Sequence, residues 1–182
     1  MSYLYGGTIL RVDLSNGNIK RQPTAAYAHK WLGRRGLNTR ILYKELEPGI
    51  DALSPENVLI FSVGPLTGSM FPGSGRVEVA AKSPVTGIQG MSNMGGYWGP
   101  ELKYAGYDMI ILEGKAKTPV YLWIENDSIE IRKAKHLWGM ETQQTTEAIL
   151  SETDAEAKVA CIGPAGENLV KFACIMNDNG RA

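Results

Sequence analysis

Histidine and cysteine are scarce: two of each occur among 182 residues, and neither type clusters. Cys161 and Cys174 form no CxxC pair and stand inside apolar, strand-like segments. That pattern argues against a metal site or a disulfide framework within the chain, and the expectation is two buried structural thiols. His29 beside Trp31 and His136 beside Leu137-Trp138 read as structural residues, and no serine sits in a GxSxG elbow to make use of either. Neither GxGxxG opening a helix after a strand nor GxxxxGK[ST] occurs, which removes the Rossmann and P-loop classes. Net charge is lacking as well. Nineteen basic residues balance nineteen acidic ones, so no broad field draws the chain to nucleic acid or to a membrane surface, and any anion must be held by a local site. The longest apolar stretches, Val58 to Val63 and Met109 to Leu112, are far too short to span a bilayer. Met1 to Leu14 has no basic segment leading into an apolar run, and the expected location is the cytoplasm.

With 43% apolar residues, the chain can build one domain with a real core. Thr8 to Arg21 alternates branched apolar with polar residues around Ser15-Asn16-Gly17-Asn18, which predicts a β-hairpin. A helical pattern starts at Thr24 and resumes through Leu37 and Ile41 to Leu46, broken near Gly33 and Gly36. Val58 to Val63 reads as a buried strand stopped by Gly64-Pro65, and Val77 to Ala81 as a short one. The order then recurs: a hairpin at Val120 to Ile124 and Ile129 to Arg132, a helix at Thr142 to Glu152, a strand at Lys158 to Ile162 stopped by Gly163-Pro164, and a last strand at Leu169 to Met176. This recurrence predicts an internal pseudo-twofold duplication. Hairpin-linked strands with few helices predict an α+β fold of two antiparallel β-sheets, with an open α/β sheet as the alternative.

Glycine is what the sequence has in quantity, and its 21 copies concentrate in Gly64-Pro65-Leu66-Thr67-Gly68, Pro72-Gly73-Ser74-Gly75-Arg76 and the Gly90 to Gly99 region. Such loops form tight turns, or they bring backbone amides close to a phosphate or a flat heterocycle. Arg76 follows a Gly-Ser-Gly bend and precedes a strand, a placement suited to bidentate contact with a phosphate or a pterin edge. Arg181, after Asn177-Asp178-Asn179-Gly180, holds the corresponding place in the second half, so the two bends would face one another across a pseudo-twofold.

Leu53-Ser54-Pro55-Glu56-Asn57, Gly64-Pro65-Leu66-Thr67-Gly68, Lys82-Ser83-Pro84, the run Gly95 to Lys103, Ala105-Gly106-Tyr107-Asp108, Glu113-Gly114-Lys115-Ala116 and the run Gly163 to Leu169 together resemble, in order and spacing, the amino-terminal domain of the tungsten-containing aldehyde:ferredoxin oxidoreductases. The resemblance spans essentially the whole chain. It implies a single tungstopterin-binding domain over residues 1–182, a base for a tungsten bis-molybdopterin cofactor whose two pterins ligate the metal through their own sulfurs. By family position the pterin contacts fall on Arg76, Asn93, Gly95, Arg181 and Ala182, and the backbone carbonyls of Asn93 and Ala182 would hold a Mg²⁺ bridging the pterin phosphates, as hard oxygen ligands suit that ion. Arg76 would lie between pterin and cluster. The implied reaction oxidises an aldehyde to a carboxylic acid, with electrons passing through a [4Fe-4S] cluster to ferredoxin. Two cysteines cannot ligate that cluster, so the cluster-bearing and substrate domains are expected outside this chain, in further domains or a second subunit, and the isolated chain is expected to be inactive. A homodimer is compatible with the resemblance. Two alternatives stay open: the tungsten subunit of an aromatic acyl-CoA reductase, and a non-catalytic cofactor-binding or assembly fragment.

Overall fold

The computed structural model describes residues 4–178 and 180–182. Residues 1–3 of the expected domain, and Asn179 of the Asn177 to Gly180 turn, lie outside the described residues. Strands β1 (Thr8–Asp13) and β2 (Asn18–Pro23) form the first hairpin, in register from Thr8↔Pro23 to Asp13↔Asn18. Its turn is held by the Asp13 carboxylate, which accepts from the Ser15 N–H at 2.8 Å and from Asn16 Nδ2 at 2.6 Å, while Gly17 takes φ +77°. Helix α1 (Ala25–Trp31) stops at Leu32 and Gly33, and α2 (Arg34–Glu45) follows. Gly33 makes the break; Gly36 lies inside α2.

Strands β3 (Val58–Val63), β4 (Val77–Lys82), β5 (Gln89–Met94) and β6 (Tyr107–Glu113) complete a six-stranded sheet of order β2-β1-β6-β3-β4-β5, and α3 (Trp98–Tyr104) links β5 to β6. Side chains alternate between two cores, as the period of two along a strand requires. Ile9, Ile60, Met109 and Ile111 point to the face covered by Leu37, Ile41 and Leu42 of α2. Leu10, Phe61, Val77 and Ile110 point to the opposite face, against Leu102 of α3 and the Leu122, Ile124, Ile129 and Ile131 side chains of the second hairpin, β7 (Val120–Glu125) and β8 (Ser128–Lys133). Helix α4 (Thr142–Glu152) begins with a capping box between Glu141 and Gln144 and buries Ile149 against Ala134, Leu137 and Val159.

The class is α+β, and two details of the expected architecture change. The main sheet is mixed, because β1 and β6 pair in parallel while every other pairing is antiparallel. The central strand β6 escapes an alternation test: buried on both faces, it shows a continuous apolar run where a half-exposed strand would alternate. In the second half, the strands expected over 158–162 and 169–176 shrink to β9 (Ala160–Cys161) and β10 (Met176–Asn177), which pair antiparallel. Pro164 opens the short helix α5 (Pro164–Glu167), and Leu169 adopts φ +57°, so an extended run cannot start there. The order hairpin, helix, antiparallel strand pair still occurs twice. No described helix is long and apolar enough to cross a membrane.

Candidate functional site

Strand β5 is the outer strand of the sheet, anchored by Met94, which is 2% exposed. It leads into a bend, Gly95-Gly96-Tyr97, that opens α3; Gly96 takes φ +96°. The second bend follows β10 and is closed by paired backbone hydrogen bonds, Asn177 N–H to the Arg181 carbonyl at 2.7 Å and Arg181 N–H to the Asn177 carbonyl at 2.9 Å. The two bends meet. The Asp178 carboxylate accepts from the Tyr97 N–H, and it fills the space a side chain on Gly96 would take: a Cβ there would stand 1.9 Å from Asp178 Oδ2. The Arg181 guanidinium lies over Gly95, with Nη1 3.7 Å from the position of a Cβ on that glycine.

A third loop joins them. A Cβ on Gly75 would come within 3.0 Å of the Gly96 carbonyl oxygen, so the Gly-Ser-Gly bend ahead of Arg76 packs on the first bend through bare backbone. The Arg76 side chain is exposed, while its carbonyl accepts from Thr67 Oγ1 at 3.4 Å; Thr67 in turn accepts from the Gly64 N–H at 2.9 Å, tying the first glycine loop to the second. Ala182 borders a groove of about 360 Å³ that runs beside β4 and β5 and is closed on its other side by Ala173, Cys174 and Ile175. Arg76, Gly95 and Arg181 thus gather at one end of the sheet with Asn93 on the adjoining strand.

Comparison with known proteins follows the same outline. A family model described as "Aldehyde ferredoxin oxidoreductase, N-terminal domain" matches residues 9–182. The chain belongs to the aldehyde ferredoxin oxidoreductase family. It is 54% identical to the tungsten-containing aldehyde ferredoxin oxidoreductase of Pyrococcus furiosus, over 98% of this chain and 30% of that protein. A more distant relative, the WOR-like subunit of an aliphatic sulfonate oxidoreductase from the same organism, is 41% identical over 96% of this chain and 30% of its own length. Among solved structures, the active-site complex of a benzoyl-coenzyme A reductase with 1,5-dienoyl-CoA matches at a TM-score of 0.96 and 44% identity, covering 100% of this chain and 28% of that one. The chain therefore spans about 30% of the length of the curated relatives it matches.

Within this family domain, no group of three or more His, Cys, Asp or Glu side chains among the described residues could hold a metal ion. One of the two thiols departs from the expectation. Cys161 is half-buried in β9, donates to the Thr142 carbonyl at 3.5 Å, and burial pushes its pKa up, which fits an inert structural thiol. Cys174 is exposed and lies outside any strand, because the strand expected through it does not form. Iodoacetamide near neutral pH is expected to modify Cys174 faster than Cys161 by roughly tenfold or more, read by peptide mass spectrometry, and equal rates would contradict the burial assigned to Cys161.

Two participants were not singled out from the sequence. Asp178 sits in a turn whose Asn-Asp-Asn-Gly composition announces only a bend; its φ of +43° and its carboxylate on the Tyr97 N–H emerge in three dimensions. Arg34, at the start of α2, donates from Nη2 to Asn93 Oδ1 at 2.5 Å, and it reads in sequence as one of several basic residues along a helix.

Proposed function

We propose that this domain is the cofactor-cradling portion of a tungsten-dependent aldehyde:ferredoxin oxidoreductase, with Arg76, Asn93, Gly95, Arg181 and Ala182 as its contacts. The observation that carries the reading is the meeting of the two bends through Asp178, Tyr97, Gly95 and Arg181, which gathers cationic side chains and bare backbone at one end of the sheet. Membership of a family whose relatives are described as tungsten-containing supports it. The residues fit the group: Gly95 carries no Cβ beneath the Arg181 guanidinium, whose Nη1 would stand 3.7 Å from one. The buried Asn177 Oδ1 has no hydrogen-bond partner among the described residues and is suited to accept from a pterin N–H.

When bound, tungsten bis-molybdopterin supplies the two-electron oxidation of an aldehyde and water to a carboxylic acid, the electrons leaving singly through a [4Fe-4S] cluster to ferredoxin. The chain's own residues bind and orient. Arg76 and Arg181 would offer planar guanidinium forks to phosphate or pterin edges, and the backbone carbonyls of Asn93 and Ala182 would offer the hard oxygens that a Mg²⁺ takes. Gly95 and Gly96 let backbone approach the ligand without a Cβ between. A four-iron cluster would need thiolates from outside this chain, which has only Cys161 and Cys174.

A second reading, the corresponding subunit of an aromatic acyl-CoA reductase, is favoured by the benzoyl-coenzyme A reductase complex at TM-score 0.96; identity of 54% to the aldehyde enzyme against 44% to that complex supports the first reading. The test is anaerobic purification from tungstate-fed cells, with the chain expressed alone and with the carboxyl-terminal portion of the Pyrococcus furiosus relative. Elemental analysis for tungsten and fluorescence of oxidised pterin are expected to be positive with the partner portion, and Arg76→Ala or Arg181→Ala to lower both by roughly tenfold, the worth of a hydrogen bond to a charged group. Absence of tungsten and pterin under both conditions overturns the proposal. Aldehyde-dependent against CoA-thioester-dependent turnover of the assembled protein separates the two readings.

A further inference from the structure

We infer that Arg34 is a positioning residue, acting through the Asn93 side chain to set the end of β5 against the second bend; its role toward a cofactor rests on the function proposed above. The backbone pays attention to this arginine at unusual length. Leu32, Gly33 and Arg34 take φ of 53°, 106° and 44° in succession, and two of the three are not glycine. Such a path is disfavoured for side-chain-bearing residues and persists only where surrounding contacts hold it. Those contacts are identifiable. Gly64, directly after β3, makes room for the arginine stem, since a Cβ there would stand 2.9 Å from Arg34 Cδ. The guanidinium then reaches across the end of β3 to donate from Nη2 to Asn93 Oδ1 at 2.5 Å, leaving its Nε buried with no partner among the described residues.

A helix that merely packed on the sheet would not need such a reach. The grip also extends to the neighbouring strand. Glu78 lies opposite Asn93 in the β4–β5 ladder and is 3% exposed. Arg35 approaches Glu78 at 3.6 Å from Nε to Oε2, and Asn38 donates to it at 3.4 Å. The first two turns of α2 therefore hold the end of β5 and the start of β4 where the two strands pair, Arg34 on β5, with Arg35 and Asn38 on β4. Asn93 is two residues from Gly95, over which Arg181 lies, so fixing the Asn93 side chain fixes the peptide plane that leads into the first bend. Because β5 is an outer strand of the sheet, with β4 as its one strand neighbour among the described residues, side-chain tethers from α2 add to its support, Thr39 to Gln89 at one end and Arg34 to Asn93 at the end that enters the first bend.

The experiment compares wild type with Arg34→Met, Arg34→Lys, Asn93→Ala and the double variant Arg34→Met/Asn93→Ala. It reads amide hydrogen exchange over Met94 to Tyr97 in the cofactor-free chain and pterin content per folded protein after anaerobic expression. Arg34→Met is expected to speed exchange at these amides and to lower pterin content, each by roughly tenfold, as loss of a hydrogen bond to a charged donor implies. Arg34→Lys, which keeps a donor on a long stem, is expected to stay within about threefold of wild type and serves if the methionine variant does not fold. In the Asn93→Ala background, Arg34→Met is expected to add nothing, since the residue through which it acts is gone. An equal effect of Arg34→Met in both backgrounds, or unchanged exchange in Arg34→Met alone, overturns the inference. Wild-type protein without pterin both alone and with the carboxyl-terminal portion of the Pyrococcus furiosus relative would count against the proposed function, and the exchange data alone then decide whether Arg34 positions β5.

Discussion

Asp108→Ala is expected to lower the unfolding free energy by about 3–5 kcal/mol, the range for removing one partner of a buried ion pair and leaving the other charge behind. The Asp108 side chain is 5% exposed and Lys103, its partner, 10% exposed, with Lys103 Nζ 2.5 Å from Oδ1. Asp108 does more than pair with lysine. Its two oxygens also accept from the Gly6 N–H at 2.9 Å, the Gly7 N–H at 2.8 Å and Thr24 Oγ1 at 2.7 Å. One carboxylate near the start of β6 therefore ties down the segment entering β1, the residue ahead of α1, and the lysine of α3. Removal would leave the buried ammonium with the Gly64 carbonyl, at 3.3 Å, and would take the acceptor from three donors at once, and each buried group left unsatisfied carries its own desolvation cost. Lys103→Met should cost less, because the carboxylate it leaves keeps three donors around it. Urea unfolding followed by tryptophan fluorescence measures both, and an Asp108→Ala loss below about 1 kcal/mol would show that water reaches this site and relieves it.

Local chemistry was legible in the sequence: Asn16-Gly17 turned the first hairpin, Gly33 divided α1 from α2, and the run at Val58 formed β3. Those features depend on a few adjacent residues. Strand β6 depends instead on pairing with β1 and β3 along its two edges and on burial of both its faces, and a sequence window cannot see those neighbours. Strand β5 hid for the opposite reason, since its Gln89-Gly90-Met91-Ser92-Asn93 run lacks the branched residues that mark strands and pairs only because β4 lies alongside. At the candidate site, the glycines and Arg76 announced themselves by composition. Asp178 and Arg34 did not, because a carboxylate in a turn and an arginine on a helix read as ordinary surface residues, and their partners lie 81 and 59 positions away in sequence.

Gly96→Ala is expected to separate the two bends, and a matched glycine shows why the effect would come from contact and not from backbone strain. Gly96 and Gly106 share φ +96°, so alanine at either position carries a similar conformational cost, about 1 kcal/mol. Their surroundings differ. A Cβ on Gly106 meets nothing within 4 Å, whereas one on Gly96 would stand 1.9 Å from Asp178 Oδ2, 2.9 Å from Asn177 Oδ1 and 3.0 Å from Asp178 Cγ. The carboxylate must leave, and its hydrogen bond with the Tyr97 N–H leaves with it. A charge-assisted bond of that kind contributes about 1.5–3 kcal/mol, so the bends are expected to part in Gly96→Ala and to stay joined in Gly106→Ala. Amide exchange at Tyr97 reads the first step and retained pterin the second. Both should change by roughly tenfold or more in Gly96→Ala and by much less in Gly106→Ala. If the two variants behave alike, the contact between Asp178 and the first bend contributes nothing to holding the loops together, and the gathering of Arg181 over Gly95 would need another cause.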